Sequence, residues 1–206
     1  MRNLSRCLSV IVALVAILFA VPGGVTAQSI WLPPGSGNQI ALEIFKPSFA
    51  DNVSDVTFTS TVWFLSGQIQ ATPTLALVGE IPLSRIDVKQ AWFGDPDAES
   101  TIGNPYLGMV YRSARSTFIT ELGARLPFVP DDKWDAQLQG LWSDADRWEA
   151  FYPNMIALRI RAGSDVTSPS GTANLVTRFR IGPTFWIPTE SDIDGEVFAD
   201  ATAGIW

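Results

Sequence analysis

The 206-residue chain has no histidine and one cysteine, Cys7. Without imidazole, Ser-His and Cys-His nucleophile pairs and histidine metal sites are excluded. Beyond residue 27 no run approaches the ~20 apolar residues that a membrane-spanning helix requires, which excludes a helical membrane protein. Basic residues are also scarce. The 14 Lys and Arg less Arg2 and Arg6 leave 12 after residue 27, against 21 Asp and Glu, a net charge of −9. Such a balance disfavours nucleic acid as a partner, because phosphates attract a basic surface. No carboxylates stand at a spacing that defines an acid–base pair. The expectation is a non-enzymatic protein with no cofactor and no metal.

The first 27 residues read as a secretory leader. Arg2 and Arg6 form a positive start, Val10–Val21 an apolar core, and Val25-Thr26-Ala27 a small-residue cleavage site. The apolar core is too short to span as a helix, and a signal anchor is the alternative. Cys7 precedes that core instead of following it, which argues against a lipoprotein. The domain proper is then residues 28–206. It lacks cysteine, so no disulfide staples it.

What the chain does have is grease and alternation. Hydrophobic residues make up 47 %, with eight Trp and twelve Phe. The clearest segment is Gly171–Thr189. One face carries Leu175, Thr177, Phe179, Ile181, Phe185 and Ile187, and the other Val176, Arg178, Arg180, Gly182, Thr184 and Trp186. A period of two is that of a β-strand. At about 15 residues it is roughly 50 Å long, well beyond an average soluble strand. Seven further segments alternate in the same way: around Ile40–Phe45, Val56–Gln70, Leu75–Leu83, Tyr106–Arg112, Phe118–Leu126, Ile156–Arg161 and the alanine-rich Gly195–Trp206.

The links between these eight segments alternate in length. Ala71–Pro73, Ser113–Ser116 and Ser164–Gly171 are short. Lys46–Asp55, Ser84–Gly103, Val129–Pro153 and Thr189–Gly195 are longer or richer in turn formers. Short inner turns and long outer loops are the habit of outer-membrane barrels. Three segments approach a long loop through a glycine and then a proline: Gly79 and Pro82, Gly123 and Pro127, Gly182 and Pro188. Proline donates no ladder hydrogen bond, so each is expected to mark a strand end.

In "IGNPYLGMVYR" (Ile102–Arg112), "ELGARLPF" (Glu121–Phe128) and "IGPTFWIPT" (Ile181–Thr189), the chain resembles bacterial outer-membrane β-barrel proteins of a poorly characterised transporter or porin-like type. The resemblance covers roughly Leu75 to Thr189. It implies a fold and a membrane, and it carries over no catalytic or binding residue. Barrels of this class end in an amphipathic strand closing on an aromatic. Trp206 is aromatic, but Gly204, Thr202 and Asp200 before it are not apolar. Either the final strand is atypical, or the chain is part of a larger barrel of ~12 strands.

The expected fold is therefore all-β, an antiparallel up-and-down transmembrane β-barrel of about eight strands, with one amphipathic helix in an outer loop. That helix falls in Asp131–Tyr152, where Trp134, Leu138, Leu141, Trp142, Ala145, Trp148 and Tyr152 recur at three- and four-residue steps. It is expected on the barrel rim, with capping of the mouth or entry into the lumen as alternatives. A charge facing lipid costs ~2–4 kcal/mol at the bilayer midplane for Arg or Lys. Glu80, Glu121, Arg125, Arg159, Arg161, Arg178 and Arg180 are therefore expected to face the lumen as a charged network, with Glu196 or Asp200 as further candidates and with Arg178 and Arg180 aimed at acids such as Glu121 or Glu80. In an eight-stranded barrel they pack as interior ion pairs. In a larger one they line a pore that favours anions. Glu190, Asp192, Asp194 and Glu196 read as a solvated acidic turn, since the calcium-loop pattern is absent.

The functional expectation is an integral outer-membrane barrel, a channel, transporter or structural membrane protein. Its partners would be membrane lipid, the barrel-assembly machinery and a small anionic solute, and its location the bacterial outer membrane. The alternative is a secreted soluble β-sandwich or lipocalin-like binding protein, with Arg178 and Arg180 outside and Phe179 and Ile181 within.

Overall fold

The computed structural model describes residues 37–46, 56–90, 98–143, 145–170, 173–190 and 195–205. The segment expected to be a leader (residues 1–27), Asp192, Asp194 and Trp206 lie outside the described residues. Nine strands form one sheet in which every pairing is antiparallel. They are β1 (Gln39–Phe45), β2 (Val56–Thr72), β3 (Leu75–Gln90), β4 (Ala98–Ile102), β5 (Tyr106–Arg112), β6 (Phe118–Arg125), β7 (Met155–Ser170), β8 (Ala173–Pro188) and β9 (Glu196–Ile205). Eight follow one another as direct neighbours, and β4 pairs only with the far part of β3. Between β6 and β7 lie helix α1 (Trp134–Ser143) and a 3-10 segment, Ala145–Ala150. The fold is thus antiparallel all-β with one short helix.

Two links expected to be irregular are strand over much of their described length. β3 runs on to Gln90 and β4 pairs back onto it, Leu83 opposite Ile102 and Asp87 opposite Ala98. β7 continues through Asp165 to Ser170, paired with β8 as far as Ala173. Hydrogen bonding across the ladder extends both hairpins where turn-forming residues had suggested a break. Pro82 does not end a strand either. Gly103 donates its N–H to the Pro82 carbonyl at 2.9 Å, so the proline nitrogen points toward Gly103–Pro105. That is where β4 gives way to β5, and the missing donor deprives no ladder partner.

The alternation of the sequence becomes two faces. On the convex side Ile44, Leu77, Leu107, Leu122, Ile160 and Ile181 are 43–60 % exposed. The concave side buries Phe64, Tyr106, Arg125, Arg161, Arg180 and Trp186. The sheet is deeply curled. Arg147 in the 3-10 segment reaches Glu43 on β1, and the next residue, Trp148, meets Phe198 of β9 edge to face. Consecutive residues therefore touch the first and last strands. Among the described residues no ladder joins β1 to β9, so the sheet is curled but open.

Two apolar clusters seat the β6–β7 connection in the concavity. Phe151 and Ala150 pack on Val62 and Phe64, with Phe45 and Leu141 against them. Trp186, Met155 and Ala157 pack with Phe198, and the rings of Trp148 and Tyr152 lie 5.5 and 5.1 Å from Trp186. Helix α1 starts where Glu99 of β4 accepts the Ala136 N–H at 3.0 Å, satisfying an otherwise unbonded first-turn amide. Its buried face is not the expected one. Ala136, Gln137, Gln139 and Gly140 are buried, whereas Trp134, Leu138 and Trp142 face outward. Of the expected stripe, Leu141 turns in. The 3-10 segment, not the helix, supplies the large side chains that fill the concavity.

Candidate functional site

The concave face gathers charge because β-strand pleating sends alternate residues there and the convex face is apolar. All seven residues expected in a charged interior lie on it. Glu80, Glu121, Arg125, Arg159, Arg161, Arg178 and Arg180 are 1–6 % exposed. The structure divides them into two layers.

The layer nearer the long connections is a chain of alternating charge. Arg147 binds Glu43 at 2.7 Å and Glu80 at 3.3 Å. Arg125 binds Glu80 at 2.6 Å and Glu149 at 3.2 Å, and Glu149 also accepts from Arg159. Among the described side chains three carboxylates here meet three guanidiniums. Burial alone would raise the Glu149 carboxyl, but the guanidiniums of Arg159 and Arg125 outweigh it and hold it below the usual carboxylate range. Arg147 also lies over the Phe64 ring, 4.0 Å from its centroid. Such a network is weak evidence for added stability, but losing one partner costs ~3–5 kcal/mol because a buried charge is stranded.

Asn104 fixes this layer to the sheet. Its amide donates to the carbonyls of Glu149 (3.1 Å) and Tyr152 (2.7 Å), and its Oδ1 accepts from the N–H groups of Phe128 and Val129. Its backbone carbonyl accepts from Arg125 at 3.0 Å. One buried side chain thus satisfies four backbone groups of the long connection.

The layer nearer the short turns is different. Tyr106 lies flat across Gly108 and Gly123, which face each other in the β5–β6 ladder, and donates its hydroxyl to Glu121 at 2.5 Å. A Cβ at Gly123 would stand 2.1 Å from the Tyr106 hydroxyl oxygen, so only glycine admits the ring. Arg161 stands opposite Glu121 in the next ladder. Arg178 and Arg180 bind Asp165 at 3.0 and 2.7 Å. They do not reach Glu121 or Glu80 as expected. Because β7 runs past Ser164, Asp165 stands directly opposite Arg178. Arg112 donates to Gln68 at 3.3 Å. Among the described side chains this layer holds Arg112, Arg161, Arg178 and Arg180 together with Glu121 and Asp165, and Arg161 and Arg178 are engaged further.

A cavity of about 50 Å³ opens between the two layers, lined by Gln68, Tyr106, Glu121, Arg112, Arg178 and Arg180 on this side and by Glu80, Arg125 and Arg159 on the other. That is room for about three or four waters. Glu43 and Arg112 were legible on the inward parity of their strands, each two positions from an inward apolar residue. Arg147, Glu149 and Asn104 gave no such signal, because they come from connections whose path only packing decides. Among the described residues no group of three or more His, Cys, Asp or Glu is placed to hold a metal ion. Comparison with protein-family models, curated proteins and solved structures finds no match for the chain.

Proposed function

We propose that this chain is an integral β-barrel protein of the bacterial outer membrane, a non-enzymatic membrane wall with a charged interior, delivered by a secretory leader and the barrel-assembly machinery. The observation that carries the reading is the separation of faces: apolar side chains exposed on the convex side, arginines and carboxylates buried on the concave side. A soluble sandwich or lipocalin-like barrel does the reverse, burying its grease and wetting its charges. Lipid is the solvent in which this arrangement is favourable, since each convex charge would cost ~2–4 kcal/mol there for Arg or Lys at the midplane.

Strand length and number support the same reading. β2, β3, β7 and β8 have 16 or 17 residues, more than the ~9–11 that cross a bilayer. The main path has eight strands, an even number, so β1 and β9 run in opposite directions and are able to close by an antiparallel ladder. No described helix is long and apolar enough to cross a membrane, so strands are the elements available to do so. The 3-10 segment and its ion pairs fill the long-loop half of the interior. With that half of the interior filled, a channel or transporter of this kind conducts only if the segment moves.

Fractionation with gel mobility before and after boiling tests this. The protein is expected to need detergent for extraction and to migrate faster unboiled than boiled. A chain soluble without detergent, with one mobility in both states, overturns the membrane reading in favour of a secreted soluble protein.

A further inference from the structure

We propose that the short-turn half of the concavity is a binding site for a small oxyanion of phosphate or carboxylate type, held by Arg112, Arg178 and Arg180. Glu43, Glu80 and Glu149 neutralise Arg147, Arg125 and Arg159 in the long-loop layer. Arg112, in the other layer, takes part in none of these ion pairs. There Asp165 is shared by two guanidiniums, through Arg178 Nε and Arg180 Nη2 on the same Oδ1. Its other oxygen accepts from Arg178 Nη2 at 3.3 Å.

Arg112 has no carboxylate within ion-pair distance among the described residues, and its Nη1 is buried without a hydrogen-bond partner. A buried guanidinium donor with no acceptor is costly. It stays in such a place when something else supplies the acceptor. Arg112, Arg178 and Arg180 all line the cavity; the carboxylates of Glu80 and Glu121 line it too, but Glu80 is paired with Arg125 and Arg147 and Glu121 accepts from Tyr106. The space is that of a few waters, which fits an anion of four or five heavy atoms and not a sugar or a lipid chain. Guanidiniums present paired N–H groups that match the oxygens of phosphate or carboxylate, whereas chloride offers a single point.

The site does not depend on the membrane reading, because its test is binding by the folded protein in whichever medium keeps it folded. The full-length mature chain is titrated with inorganic phosphate, and separately with acetate, by calorimetry and thermal unfolding at fixed ionic strength set with chloride. Saturable binding of phosphate or acetate, and a rise in Tm beyond chloride alone, are expected. Arg112→Gln is expected to weaken binding about ten- to a hundredfold, the loss of one charge-assisted contact. Arg115→Gln, on the exposed short turn, is expected to leave it unchanged. Asp165→Asn separates binding from packing. It removes the site's shared carboxylate, so it is expected to lower stability without anion yet tighten anion binding. Oxyanions acting no differently from chloride, or Arg112→Gln and Asp165→Asn both binding like the parent, overturn the site.

Discussion

At the scale of single residues, the interior is organised by a few buried groups whose partners come from distant parts of the chain. Glu149 is the clearest case, since it joins Arg125 of β6 to Arg159 of β7 from the 3-10 segment. Its carboxyl lies below the ordinary value in the folded protein. A depressed folded value means that its contribution is present above the unfolded value, near 4.5, and is lost as pH falls through the lower folded one. Stability of the long connection is therefore expected to hold from neutrality down to about pH 5, and to fall in the acid range below. Protease cleavage within residues 131–153, followed against pH, measures this, and Glu149→Gln is expected to open the segment at neutral pH and flatten its acid dependence. Cleavage that is the same for both proteins at every pH would contradict it. Parity made Glu80 and Arg178 legible, because pleating fixes a face once a strand is recognised. It could not supply their partners. Asp165 was hidden in a presumed turn, and Glu149 belongs to a connection.

At the scale of elements, the long hairpin β7–β8 depends on a close approach that the sequence marks only with a glycine. The ladder is interrupted between the pairs Arg159–Thr184 and Ala162–Ile181. There a Cβ on Gly182 would stand 1.8 Å from the Ile160 carbonyl oxygen and 2.8 Å from the Arg161 Cα. Backbone, unlike the tip of a side chain, does not swing aside. Gly182→Ala is expected to destabilise by ~2 kcal/mol or more, whereas Gly67→Ala, whose nearest contact is 3.8 Å away, is expected to change stability by no more than ~0.5 kcal/mol. Equal midpoints in urea for the two variants would refute this. The β6–β7 connection gives a second contrast. The three- and four-residue recurrence in Asp131–Tyr152 correctly located a helix, yet α1 turns Trp134 and Trp142 outward and buries Gln137 and Gly140. Periodicity reports that an apolar stripe exists, not which medium it meets. Phe151→Ala is accordingly expected to cost ~3–5 kcal/mol, and Trp142→Ala, at 81 % exposure, almost nothing in detergent unfolding.

At the scale of the molecule, the antiparallel all-β fold was legible from eight alternating segments and the rhythm of their links. Its curl was not, because nothing local says that Arg147 and Trp148 will bridge to β1 and β9. Curl requires side chains from many strands to meet at once, and those contacts have no short-range signature. The central claim is that the convex face lies against lipid. It is tested most directly by single-cysteine labels along β8, in a chain whose one native cysteine, Cys7, lies far from that strand in sequence. Fluorophores on Thr177→Cys, Phe179→Cys, Ile181→Cys and Ile187→Cys, and on Arg178→Cys, Thr184→Cys and Trp186→Cys, are reconstituted in liposomes carrying a quencher on the lipid chains. Strong quenching at the first set and weak quenching at the second, with a period of two, is the predicted result. Uniformly weak quenching at Phe179 and Ile181, with full access to a water-soluble quencher, would contradict it.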